Sequence, residues 1–187
     1  SAVRLPIVAD VPELLLPQNR PAGFYLDEAP HWTWFGNGAQ RARQIACDLD
    51  FLRSIGIHGN APALATPTPP DFTAFLDDMR AANEAGAFAP WLAYAPLKRL
   101  LAREGEMAPS VLADLAERLE AAGLPRPIWS LADEPGNADQ SADGLRATAR
   151  KLRAAVPDVR LAGHLNARHD VALAPLFDVI LINQGFG

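Results

Sequence analysis

A chain of 187 residues that is 49% hydrophobic and 21% charged can bury one sizeable core, which excludes a disordered chain and makes a single globular domain the expectation. Its formal net charge of −5, with a pI near 5.3, leaves no electrostatic footprint for nucleic acid or an anionic membrane, so a neutral or uncharged partner fits better. No stretch approaches the length of a membrane span, and Ser1-Ala2-Val3-Arg4-Leu5-Pro6 lacks the charged-then-apolar build of a signal peptide; an exported chain would already have shed its signal, and the compartment stays open.

Residues 1 to 21 form a Pro-rich lead-in, with Pro6, Pro12, Pro17 and Pro21 each interrupting any ladder or helix, and the domain proper is expected over residues 22 to 187. Ala22 to Asp27 is short, aromatic and apolar, which predicts a first strand buried on both faces. From Ala39 to Ile55, apolar residues recur at Ala42, Ile45, Ala46, Leu49, Leu52 and Ile55, a single helical stripe that Gly56 ends. Cys47, the only cysteine, is expected on the apolar side of this helix as a buried, inert thiol. No Cys/His spacing suits zinc.

Ile57 to Ala61 predicts the second strand, and its loop ends in Thr68-Pro69-Pro70-Asp71, the spacing of a capping box with Asp in place of Glu. The helix after it should bury Phe72, Phe75, Leu76 and Met79 and stop at Gly86. Phe88 to Ala95 predicts the third strand, followed by a short helix over Leu97 to Arg103. A longer helix, capped by Ser110, turns Val111, Leu112, Leu115 and Leu119 inward and ends at Gly123. Pro127 to Ala132 is the fourth strand. A helix from Asp139 to Val156 with Leu145, Ala149 and Leu152 inward, a fifth strand over Arg160 to Leu165, a short helix from Asp170 to Leu176 and a sixth strand over Asp178 to Asn183 complete the alternation.

Strict alternation of strand and helix with near-continuous apolar strands predicts an α/β fold with a parallel sheet. No Gly-rich phosphate loop follows any strand, which removes support for a nucleotide-binding open sheet. Polar residues instead end each strand: Asp27 and Glu28, Asn60, Tyr94, Asp133 and Glu134, His164 and Asn166, Asn183 and Gln184. Site residues at that face are the habit of the (β/α)8 TIM-type barrel, so a partial or truncated barrel of about six βα units is the expected fold. A full barrel needs about 250 residues. The Pro-rich start and the stop after strand six therefore suggest part of a longer chain, completed by other segments or subunits.

The sharpest motif is Ala132-Asp133-Glu134-Pro135, at the mouth of the fourth strand. Glycosidic cleavage needs a protonated carboxyl beside the leaving oxygen and a second group to attack the anomeric carbon or activate water. Glu134, at the lip of an apolar strand and next to another carboxylate, is the natural general acid, because partial desolvation and a like-charge neighbour both favour the protonated form. Successive residues at a strand end point apart, so Asp133 must serve a different atom. The same string is also good turn and helix-start composition, and that reading stands beside the catalytic one.

On Asp133-Glu134-Pro135 at strand four, the chain resembles barrel glycoside hydrolases, and within them the substrate-assisted β-N-acetylgalactosaminidase family and its uncharacterised relatives. The resemblance implies that Glu134 is the general acid/base and that Asp133 orients the substrate's 2-acetamido group, whose carbonyl oxygen is the nucleophile. It implies no metal and no organic cofactor. The larger retaining clan with Asn-Glu-Pro is similar too, but this chain has Asp133 where that clan has Asn, and no strand-seven carboxylate.

Around the pair, Asp27 and Glu28 repeat the acidic signature after strand one, as sugar ligands or as another capped loop. In the loop that follows, His31, Trp32, Trp34 and Phe35, the Trp and Phe residues, Trp32 first, offer a stacking platform for a pyranose or a plug for the barrel end. Asn60, Asn166 and Gln184 supply donor and acceptor for hydroxyls, Tyr94 a substrate contact, and His164 either a hydroxyl contact or a structural hydrogen bond. His58 and Trp129 are read as packing. The rival function is a non-catalytic module that binds glycan or holds together a larger assembly, such as an extracellular multidomain protein or a phage tail tip.

Overall fold

The computed structural model describes residues 26–27, 39–54, 59–87, 90–135 and 141–182. Strands β1 (Leu26–Asp27), β2 (Asn60–Ala61), β3 (Leu92–Ala93), β4 (Ile128–Asp133), β5 (Arg160–Leu165) and β6 (Val179–Ile182) alternate with helices. The helices are α1 (Ala39–Ser54), α2 (Thr73–Glu84), α3 (Pro96–Glu104), α4 (Ala108–Ala121) and α5 (Ala142–Ala155), with a 3-10 segment, Arg168–Leu176, before β6. Every ladder is parallel, as the alternation predicts.

The expected barrel is overturned. β3, β4, β5 and β6 form an open four-stranded sheet in that order, β1 and β2 form a separate two-stranded one, and a single bridge, Asn60 to Trp91, lies between them. A barrel closes only when its last strand reaches its first. β6 pairs with β5 on one side, and no described residue pairs with its other edge. The physical reason is ladder length: β1, β2 and β3 each contribute two residues, against six in β4 and in β5. The fold is a small α/β domain with helices layered on the sheet.

The alternation of side chains across a strand sorts the interior into two clusters. One joins Trp91, Ala93, Trp129, Leu131, Leu161 and Leu165 to the apolar faces of α2 to α5, including Phe75, Met79, Leu97, Leu100, Leu112, Leu115, Leu119, Leu145 and Leu152. Trp129 stacks on Phe75 with ring centroids 5.7 Å apart, so its reading as core holds. On the opposite face, Ala61, Leu92, Ile128 and Ala162 form a smaller cluster flanked by Val179 and Leu181. Gly163, on the helix side of β5, is required by close approach: a Cβ there would lie 2.4 Å from the Phe177 ring.

Local signals depart from expectation in three places. Cys47 is exposed rather than buried, because it stands two residues, about 200° of helical turn, from both Ile45 and the buried Leu49. The Thr68–Asp71 capping box does not form; α2 starts later, behind Phe72 in a left-handed conformation, and Asp71 accepts from the Thr73 N–H at 3.1 Å. Ser110 lies inside α4, donating to the Met107 carbonyl at 2.9 Å, so it is not the cap. Ser141 caps α5, accepting from the Gly144 N–H at 3.0 Å. The lead-in and His58 lie outside the described residues.

Candidate functional site

The carboxyl ends of β3, β4 and β5 meet through an irregularity in β4. Ser130 pairs with Ala162, but the next registered pair is Ala132 with Gly163, so Leu131 is an extra residue, a β-bulge. Because side chains alternate with a period of two, one extra residue moves everything beyond it to the other face. Without the bulge Asp133 would lie beside Leu165, on the helix-covered side. With it, Asp133 pairs with His164 and shares a face with Ser130.

Tyr94 follows β3 and arrives at the same place. Its hydroxyl donates to Asp133 Oδ2 at 2.6 Å, a short charge-assisted bond that fixes one carboxylate oxygen and leaves the other for a ligand. Its ring meets His164 edge to face, with centroids 4.9 Å apart, and His164 is buried. The Glu134 N–H donates to the His164 carbonyl at 2.9 Å, tying the residue after β4 to the end of β5. Glu134 has φ 48°, a left-handed backbone that costs a non-glycine residue about 1–2 kcal/mol. Strain of this kind persists where the surroundings over-determine it, and it clusters at functional sites.

A cleft of about 440 Å³ opens beside this group, lined by Ser130, Leu131 and Asp133 of β4, by Tyr94 and Ala95 between β3 and α3, and by Lys98, Arg99 and Ala102 from α3. A second, of about 300 Å³, shares Tyr94, Ala95 and Arg99 and extends to Ala61–Leu64. The volumes suit one or two sugar rings.

Of the residues singled out in the sequence, the structure brings together the side chains of Asp133, Tyr94 and His164, with Glu134 tied to them through its backbone N–H; Asp133 and Tyr94 line the cleft, and Glu134 and His164 are not among its lining residues. Asn60 is buried and lines a different hollow, between α1 and α2, with Leu49 and Asp78, so it does not join them. Asn166 follows β5 on a loop whose N–H groups at Asn166 and Ala167 donate to the buried Asp170; its Oδ1 is buried without a hydrogen-bond partner among the described residues. Asp27 is registered against Ala61 by its backbone. Glu28, Trp32 and Gln184 lie outside the described residues. Sequence reasoning missed Lys98, Arg99 and Ser130. A signal existed: β3 and α3 are separated only by Tyr94 and Ala95, so the first turn of α3 must stand at the strand mouth.

Among the described residues, no three His, Cys, Asp or Glu side chains gather as metal ligands would, and no helix is long and apolar enough to cross a membrane. Comparisons with protein-family models, with curated proteins and with solved structures give no match to this chain.

Proposed function

We propose that the chain is a glycoside hydrolase acting on a 2-acetamido sugar, with Glu134 as general acid/base and Asp133 as the orienting carboxylate. The observation that carries this reading is a tyrosine-anchored aspartate followed by a glutamate in left-handed backbone, beside a cleft of about 440 Å³. Asp133, held by Tyr94 through one oxygen, accepts the N–H of the acetamido group with the other. The acetamido carbonyl oxygen then attacks the anomeric carbon as Glu134 gives its proton to the departing glycosidic oxygen. The Glu134 carboxylate next takes a proton from water, which attacks the same carbon and reopens the ring formed with the acetamide. Both displacements invert the anomeric carbon, so the configuration is retained overall.

The test is Glu134→Gln assayed on an aryl N-acetyl-β-hexosaminide. Loss of general acid/base catalysis lowers kcat by about 10²–10⁴-fold, while circular dichroism and thermal melting stay as in the parent, since Gln has the same shape. Turnover retained in that variant would sink the assignment. Glycan binding by the parent chain without turnover would assign it instead to the non-catalytic binding modules.

A further inference from the structure

The part of the cleft lined by α3 carries charge that a neutral sugar does not use. Lys98 and Arg99 line it from the first turn of α3, and both are exposed. That helix has no acid in its first turn and no side-chain cap at Ala95, so two cations stand where the helix dipole is positive, an unfavourable placement when nothing answers it. Among the described residues neither makes an ion pair or a side-chain hydrogen bond. One turn further along, Arg103 is held by Glu104, by the Thr68 hydroxyl at 3.1 Å and by the Pro67 carbonyl. Lys98 and Arg99 are thus left facing the cleft, and Arg99 also borders the adjoining one.

A second feature points to a ligand in the same cleft. Ser130 is 4% exposed and lines the cleft, and its hydroxyl, unlike its backbone in the β4–β5 ladder, makes no hydrogen bond among the described residues. Ser130 lines the cleft, so a ligand hydroxyl reaching that point would supply the partner its own hydroxyl lacks within the protein.

We propose that the ligand is an acidic glycan, its anionic substituent seated on Lys98 and Arg99 and a ring hydroxyl on Ser130. The inference rests on the hydrolase reading for taking the ligand to be a sugar. Asp133 repels an anion, so the charged substituent lies toward α3 and the 2-acetamido group toward β4. The chain's net negative charge does not oppose this, because a cleft lined by two cations sets its own local potential. A carboxylate offers a guanidinium two oxygen acceptors in one plane and a sulfate ester offers three on a tetrahedral sulfur; either can accept two N–H groups at once, and the probes separate them.

Calorimetric titration at low salt compares N-acetylgalactosamine, its 6-sulfate, and a glucuronyl-N-acetylgalactosamine disaccharide. At least one charged probe is expected to bind about tenfold or more tightly than the neutral sugar, and which one does so identifies the anion. That preference falls to about one in the Lys98→Gln/Arg99→Gln variant, reverses in Arg99→Glu, and shrinks as salt shortens the Debye length from about 30 Å at 0.01 M to about 8 Å at 0.15 M. Both substituted side chains are exposed and their charge opposes the helix dipole, so thermal melting should stay as in the parent or rise slightly. Equal binding of charged and neutral probes, a preference that survives in the double variant, or no binding of any probe overturns the proposal. Glu134-dependent hydrolysis of a neutral aryl glycoside without charge preference would overturn it while leaving the hydrolase reading intact. A charge preference lost in the double variant, without such hydrolysis, would support the anion seat and remove the hydrolase.

Discussion

The two faces of the four-stranded sheet are built from the same strands and differ in nearly every other respect. The helix-covered face presents Trp91, Trp129, Leu131, Leu161 and Leu165 to four helices, and its cluster runs from Leu64 to Phe177. The opposite face holds a four-residue apolar patch, then turns polar toward the carboxyl ends with Ser130, Asp133 and His164, with Tyr94 beyond β3. Within β4, Ile128-Trp129-Ser130 alternates between them residue by residue. Folding free energy is concentrated on one side of the backbone, and the groups able to do chemistry collect on the other, so mutations on the two sides should affect different measurements.

The largest break of this symmetry is expected from Trp129→Ala. It removes the ring stacked on Phe75 and should destabilise the fold by about 3–5 kcal/mol, read by urea unfolding. A change below about 1 kcal/mol would mean that the helix-covered face is not the main source of stability. Next is Tyr94→Phe, which keeps the ring against His164 and deletes the hydroxyl's bond to Asp133. Turnover of an aryl N-acetylhexosaminide should fall about tenfold, with stability altered by less than about 1 kcal/mol, as suits a partly exposed hydroxyl. Unchanged kcat would dissociate Tyr94 from the site. The smallest effect separates backbone from side chain at position 134: Glu134→Gly should be more stable than Glu134→Ala by about 1 kcal/mol, because only glycine adopts φ 48° without strain, and both should be inactive. Equal stabilities would show that the left-handed backbone there is not a source of strain.

Much of the scaffold was legible because its signals are local. The fifth strand falls on Arg160–Leu165 as the alternation of strand and helix predicts, and Phe75, Leu76, Met79, Leu112, Leu115, Leu119, Leu145, Ala149 and Leu152 are buried at the helical spacing read from the chain. What was not legible depends on partners distant in sequence. Closure of the sheet cannot be read from strand order, since it depends on ladder lengths that Phe88–Ala95 overstated as eight residues where β3 has two. Nor did the bulge announce itself: Ser130-Leu131-Ala132 contains neither Gly nor Pro, and all three residues are compatible with either phase of the strand. Asp133 and Glu134 were recognised by type and position, but the face that Asp133 occupies was set by Leu131. Lys98 and Arg99 fall within the short helix expected over Leu97 to Arg103, and their place at the cleft follows from the two-residue link, Tyr94 and Ala95, between β3 and α3.

That extra residue in β4 gives the site an uneven tolerance to genetic change. A substitution at Leu131 alters packing against the helices and leaves the phase of the strand as it was. Loss of that single residue in frame would leave every other amino acid in place and swing Asp133 toward the helix layer beside Leu165, carrying a carboxylate into an apolar interior. For descendants of this sequence, the length of the strand is a stronger constraint than the identity of the residue that provides it.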